Sequence, residues 1–187
     1  NMSSTIGVQN IAHTNGTNAM TIDSSGGTTF TSIPFNSVIE TWYYNADESH
    51  NSGTALDSTW TRRSASLVAN KNVGISVNNG IFTFPSTGIW NVTMTLRYKS
   101  TGASNYTAAR LMITVNNSSY SPAKLSYVSD GASGKHNTSI LTHVMNVTDI
   151  SNQKLYYDVE TQHAILVEGG EALNATEITF IKLCPSV

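Results

Sequence analysis

In the stretch IWNVTMTLRY, residues Trp90, Val92, Met94, Leu96 and Tyr98 are apolar or aromatic, while Asn91, Thr93, Thr95 and Arg97 between them are polar. A side chain that changes face at every step marks a half-buried β-strand, because successive Cβ atoms of an extended chain point to opposite sides. The period of two returns in ARLMITVNN through Leu111, Ile113 and Val115, in ILTHVMNV through Leu141, His143, Met145 and Val147, and in KLYYDVE through Leu155, Tyr157 and Val159. EITFIKL is apolar on both faces at Ile178, Phe180, Ile181 and Leu183, which suits a central strand covered on both sides. Helical spacing is almost absent: no long window places apolar residues at i, i+3, i+4 and i+7 without turn-forming or β-branched interruptions.

Between the alternating runs lie NADESHNSG, VNNG, FPSTG, STGASN, VNNSSYSP, SDGASGKHN, DISNQ and VEGGEALN. Each carries Gly, Asn, Asp, Pro or Ser at the point of reversal. Short strands punctuated in this way predict an all-β sandwich or barrel. The first thirty or so residues differ. NIAHTNGTNAMTIDSSGGTTFTSI has few bulky apolar groups and could not bury a core alone, yet it holds β-prone pieces, AMTID and TTFTSI, hinged at Ser24, Ser25, Gly26 and Gly27. Such pieces gain stability when several chains wrap together. The expected organisation is a β-rich stalk or linker over 1–32 and a head over 33–187, with the boundary near Ser32 to Pro34.

Composition narrows the picture. Charged residues make up only 12% of 187, about half the usual share, and Asn, Ser and Thr replace them. Eight Tyr, five Phe and three Trp argue for a packed object rather than a disordered chain. The net charge of -2 predicts no attraction to nucleic acid or anionic membrane. No apolar run approaches the length needed to cross a bilayer, so no membrane insertion is expected. No basic segment precedes an apolar one as in a signal peptide, and Asn1 ahead of Met2 reads as a processed or partial product. The single cysteine, Cys184, allows no internal disulfide and reads as a small buried side chain near the last strand.

GIFTFPSTGIWNVTMTLRY resembles the central motif of the trimeric jelly rolls of the complement-head and tumour-necrosis-factor superfamily, with Phe82, Phe84, Pro85, Gly88, Trp90 and Val92 at the matching places. IPFNSVIETW resembles the first strand of those domains, and the similarity spans roughly Thr31 to Leu183. It implies an antiparallel jelly roll of about eight to ten strands that works as a homotrimer. ATEITFIKL departs from the family's closing run, lacking its glycine and carrying Lys182. The leading segment GTNAMTIDSSGGTTF is similar to a repeated element of bacteriophage tail-fibre and other receptor-facing virion proteins. Gly16, Thr17, Ala19, Met20, Thr21, Ile22, Asp23, Ser24, Gly26 and Thr28 carry that match. It implies a virion structural protein, as tail fibre or as capsid fibre or decoration, displaying a jelly-roll head for host attachment. Its partners would be its own copies, other virion proteins and a host-surface glycan or protein. A secreted complement-head-like binding module is the alternative.

The residues themselves offer little chemistry. His13, His50, His136, His143 and His163 have no metal-ligand spacing, and NADESHNSG has few of the carboxylates a calcium loop needs, so neither metal nor cofactor is expected. Asp158 and Glu160 share a strand face as a glycosidase pair might, but no catalytic site is assigned. A polysaccharide-degrading tail spike is therefore the lesser alternative. Arg62 and Arg63 form the only adjacent basic pair, and an arginine fork suits phosphate or carboxylate on an acidic glycan. With them, Trp60, Tyr106 and Tyr120 are the expected glycan contacts, as aromatic rings near loops that stack on sugars. N-x-[ST] sequons at Asn91, Asn105, Asn137, Asn146 and Asn174 read as composition, since Asn91 and Asn146 fall inside predicted strands.

Overall fold

The computed structural model describes residues 10–12, 18–22, 24–30, 39–57, 60–64, 74–102, 106–129, 132–170 and 176–186. Two compact units divide at Asn36/Ser37. The boundary expected near Ser32 to Pro34, together with His13, Gly16, Thr17, Asp23, Asn105 and Asn174, lies outside the described residues.

In the first unit, β1 (Asn10–Ala12), β2 (Asn18–Ile22) and β3 (Thr28–Phe30) form an antiparallel meander in the order β1-β2-β3. The expected hinge is where β2 turns into β3, and Gly26 takes φ 85° there.

The second unit contains β4 (Ile39–Tyr44), β5 (Glu48–His50), β6 (Trp60–Arg62), β7 (Ser76–Asn78), β8 (Ile81–Thr83) and β9 (Gly88–Ser100). After them come β10 (Thr107–Thr114), β11 (Ser121–Val128), β12 (His136–Val147), β13 (Lys154–Thr161), β14 (Ile165–Val167) and β15 (Glu177–Cys184). Every ladder between them is antiparallel, and no helix occurs among the described residues. A five-stranded sheet runs β11-β10-β13-β8-β7, and a seven-stranded sheet runs β5-β14-β9-β15-β4-β6 with β12 on the other edge of β9. The fold is an all-β jelly-roll sandwich. Its strands among the described residues outnumber the expected eight to ten, and one source of the excess is that β9 is met along one edge by two strands, β15 along Ile89–Thr95 and β14 along Tyr98–Ser100.

β9 is the spine. Trp90, Val92, Met94, Leu96 and Tyr98 are all fully buried, and their alternate neighbours are half-buried on the other face. The facing sheet sends in Phe82, Leu111, Leu155, Tyr157 and Val159. The FPSTG turn anchors the spine: Trp90 donates its indole N–H to Ser86 O at 3.2 Å, and its ring lies 5.1 Å from Phe84. Gly88 is required because a Cβ there would stand 2.7 Å from Cys184 O and 2.4 Å from Lys182 Cε. A second tight turn, Asn79-Gly80 between β7 and β8, takes φ 46° and 74°, the left-handed pair that a two-residue hairpin demands.

Two expectations fail locally. Val115 does not continue the buried stripe of Leu111 and Ile113. β10 stops at Thr114, where Asn116 Oδ1 gathers the Thr114 hydroxyl and the backbone N–H groups of Ser118 and Ser119, and Val115 is left exposed. Cys184 is exposed rather than buried, because the β-bulge after Lys182 carries the end of β15 off the core.

Candidate functional site

The residues expected to contact glycan do not gather in one place. Trp60 is a correction: it is core. Its ring packs 5.2 Å from Tyr44 and 5.4 Å from Phe82, and its indole N–H donates to Leu56 O at 2.8 Å, so no face remains for a sugar. Arg62 and Arg63, adjacent in sequence, point to opposite sides of the sheet. Arg62 turns inward, with Nε 2.5 Å from Oε1 of the fully buried Glu40, an N–H donated to Ile75 O, and its guanidinium 4.9 Å above the Trp42 ring. Arg63 turns outward onto Tyr43 (5.2 Å) and donates to Glu177 Oε2 at 3.2 Å. Both cations are already answered within the chain, which corrects the expectation that they stand ready for an acidic ligand.

His143 faces the interior with Leu141 and Met145, as its alternation implies. Burial and nearby Lys124 push its imidazole below the ordinary value. His50 is nearly fully buried. The Tyr44 hydroxyl donates to Glu48 Oε2 at 2.5 Å and lies 3.0 Å from His50 Nε2. Since that phenol has one proton, Nε2 must carry the imidazole proton and donate to Tyr44. Burial lowers the pKa of His50 despite the pull of Glu48. No group of three or more His, Cys, Asp or Glu side chains that could hold a metal ion occurs among the described residues.

Two sheet faces carry the recognisable chemistry. The first is the outward side of the seven-stranded sheet. Register aligns Thr41, Thr179, Thr93 and Thr142 across β4, β15, β9 and β12. Their hydroxyls meet in pairs, 3.0 Å for Thr41–Thr179 and 3.2 Å for Thr93–Thr142. The row on one side is Ile39, Ile181, Asn91 and Val144, and on the other Tyr43, Glu177, Thr95 and Ile140. Ile140 is 60% exposed and Val144 53%. Within the first of these rows the Asn91 side-chain carbonyl is shut away from solvent with no hydrogen-bond partner among the described residues. A partly apolar wall whose charges are limited to the mutually paired Glu177 and Arg63, and which holds an unanswered buried acceptor, is chemically suited to being covered.

The second is the outward side of the five-stranded sheet. The spacing placed Asp158 and Glu160 on one face but gave no sign of their partner on β10. Arg110, directly opposite Asp158, donates from Nε and Nη2 to the two oxygens of that nearly inaccessible carboxylate, each at 2.7 Å. Glu160 Oε2 lies 3.6 Å from Arg110 Nη1, and Glu160 Oε1 accepts from the Tyr106 and Tyr127 hydroxyls at 3.5 and 3.4 Å. Tyr106 and Tyr127 form an edge-to-face pair at 5.4 Å, and Tyr120 and Tyr156 a tilted pair at 4.8 Å. Tyr106 and Tyr120 thus belong to one face, joined there by Tyr127 and Tyr156, which sequence reasoning missed. The alternation of KLYYDVE marks Tyr156 as outward, but nothing in it sets Tyr156 against Tyr120 or Tyr127 against Tyr106.

Comparison with protein-family models and with curated proteins finds no match. Among solved structures, the chain is similar to the tumour-necrosis-factor protein Eiger of S. frugiperda, at a TM-score of 0.60 and 13% identity over 81% of this chain and 95% of that one. It is similar to murine APRIL at 0.58 and 10%, over 79% of this chain and 100% of the other. The globular domain of the zebrafish complement 1qA protein follows at 0.52 and 8%, over 80% and 98%. At such identities the likeness establishes the fold alone, a jelly roll of the kind these three structures share.

Proposed function

We propose that this chain is a non-enzymatic, homotrimeric subunit of a bacteriophage virion appendage, a tail fibre or a capsid fibre or decoration. A β-rich stalk over residues 1 to about 32 would carry a jelly-roll head displayed for host attachment. The observation that carries the self-association is the outward face of β4, β15, β9 and β12, where Ile140 and Val144 stand exposed beside the threonine rows. Apolar side chains in register on a flat sheet gain from burial roughly 25 cal/mol per Å², and a closed ring of copies covers the same patch on each. The virion setting rests on the similarity of the leading segment to receptor-facing virion repeats, and on that segment being a separate, small β unit. Catalysis by Asp158 and Glu160 is disfavoured, because Asp158 is buried with both carboxylate oxygens taken up by the Arg110 fork. The likeness to APRIL and to the complement head favours a second reading, a secreted binding module of the complement-head type.

Native mass measurement and sedimentation test the assembly: the wild type is expected at three times the chain mass and Ile140→Asp/Val144→Asp as folded monomer. A monodisperse wild-type monomer ends the homotrimer reading. Density from the intact particle tests location. A particle lacking the head, with the protein found among secreted material, favours the second reading.

A further inference from the structure

We infer that the outward face of the five-stranded sheet is a binding site for a neutral, extended oligosaccharide, stacked at its two ends on Tyr127 and Tyr156 and hydrogen-bonded by Glu160 beside Tyr127 and by Arg110 between the two. The inference deepens the attachment role proposed above and rests on it for its biological meaning.

Two aromatic pairs lie on one face. The Tyr127 row also holds Ala108 and Glu160, and the Tyr156 row also holds Met112. Those rows are four residues apart along β13, so about 13 Å separates the two platforms at 3.3 Å per residue. A single monosaccharide cannot touch both, whereas a chain of several sugars laid along the strands can. Tyr127 is 59% exposed despite its ring contact and its bond to Glu160, so one ring surface stays open to a pyranose C–H face.

In the Tyr127 row and the row next to it on the side of Tyr156, the sheet presents both halves of a hydroxyl-binding pair. Asp158 takes up Nε and Nη2 of Arg110, which leaves Nη1, too far from Glu160 at 3.6 Å for a good hydrogen bond, with donors to give. Glu160 Oε1 is engaged by two phenols, and Oε2, 3.6 Å from Arg110 Nη1, keeps the greater acceptor capacity. A sugar hydroxyl donates and accepts at once, so it bridges these two groups. Charge decides the class of glycan. Arg110 and Lys154, the latter two positions from Tyr156 on the same side of β13, balance Asp158 and Glu160, so the face has no net charge with which to hold uronic, sialic or phosphorylated chains and accepts a neutral one. This is the opposite choice from the acidic ligand that the Arg62-Arg63 pair suggested. The face is also the other side of the sandwich from the wall proposed for self-association, so it stays open in an assembled head.

The full chain is to be applied to an array of neutral, N-acetylated and acidic oligosaccharides and to choline as a cationic aromatic-cage probe, with the best binder titrated by calorimetry. Binding to neutral chains of four or more sugars is expected, weakened at least tenfold by Tyr127→Ala and by Tyr156→Ala separately. Tyr127→Phe, which keeps the ring, should retain most of the affinity. Native mass is measured on the same samples. Unchanged trimers that bind no neutral glycan overturn the site and leave the assembly standing, and monomers that bind overturn the assembly alone. A preference for acidic chains or choline, or neutral binding indifferent to both tyrosine variants, overturns the inference.

Discussion

Replacing Arg62 by Met keeps an unbranched stem over the Trp42 ring and removes the charge that answers Glu40. Glu40 is fully buried: its Oε1 lies 2.5 Å from Arg62 Nε, and its Oε2 accepts the Ile75 N–H at 3.2 Å. At an effective dielectric constant of about 20, opposite charges roughly 3 Å apart attract by about 5 kcal/mol before desolvation is subtracted. Breaking a buried pair from one side costs about 3–5 kcal/mol, because an uncompensated charge is left inside. Arg62 itself is about one third exposed (32%) and loses less on release, so the lower end applies, about 3 kcal/mol. Glu40→Gln frees the guanidinium toward solvent and should cost only about 1 kcal/mol. The double variant Glu40→Met/Arg62→Met removes both charges and should regain most of the loss, since well-packed apolar replacements of buried ion pairs are often neutral or stabilising. Trp42, Trp60 and Trp90 are all buried, so urea unfolding followed by tryptophan fluorescence reads the change. At a slope of about 2 kcal/mol/M the midpoint of Arg62→Met falls by about 1.5 M. Protein concentration must be held fixed, because an oligomer's stability depends on it. A single-variant cost below about 1 kcal/mol, or a double variant at least as unstable as the sum of the singles, would refute the pairing argument.

Phe82→Ala opens a cavity among Trp42, Trp60 and Phe180, whose ring centres lie 6.1, 5.4 and 5.2 Å away; it should cost about 3–5 kcal/mol in the same urea assay. Acidification should destabilise the head through His50. Burial lowers its folded pKa below 6.5, so the unfolded chain binds the extra proton; stability is full above about pH 6.5 and falls as pH drops toward the folded value, by at most about 1.4 kcal/mol per pH unit. His50→Gln should flatten that part of the stability profile, and an equal slope in wild type and variant assigns the effect elsewhere. Asp149 accepts hydrogen bonds from the Ser151 hydroxyl, the Asn152 side chain and their backbone N–H groups, which hold its carboxyl at about 2; an NMR pH titration should find it ionised well below the ordinary 3.8.

Much of the architecture was already present in the order of the residues. The alternation of Trp90 to Tyr98 fixes which side of β9 is buried, because the period of a strand is two wherever the strand lies. Phe82, Phe84, Trp90 and Val92 are large and apolar at that period, and Pro85 with Gly88 closes the turn between them. What the order of residues leaves open is contact across strands and the covering of faces. Arg62 and Arg63 look equivalent in WTRRS, yet one completes a buried pair with Glu40 while the other lies on Tyr43, because neighbouring positions of a strand face opposite ways. Trp60 reads as a loop aromatic until the ladder of Tyr44 with Trp60 turns its ring into the core. The four-threonine row draws on β4, β9, β12 and β15, and the face of Tyr106, Tyr127, Arg110 and Glu160 on β11, β10 and β13 with Tyr106 just ahead of β10. Local periodicity names a residue's side of its own strand; only the tertiary register, set by packing over the whole sandwich, decides which side chains share that surface.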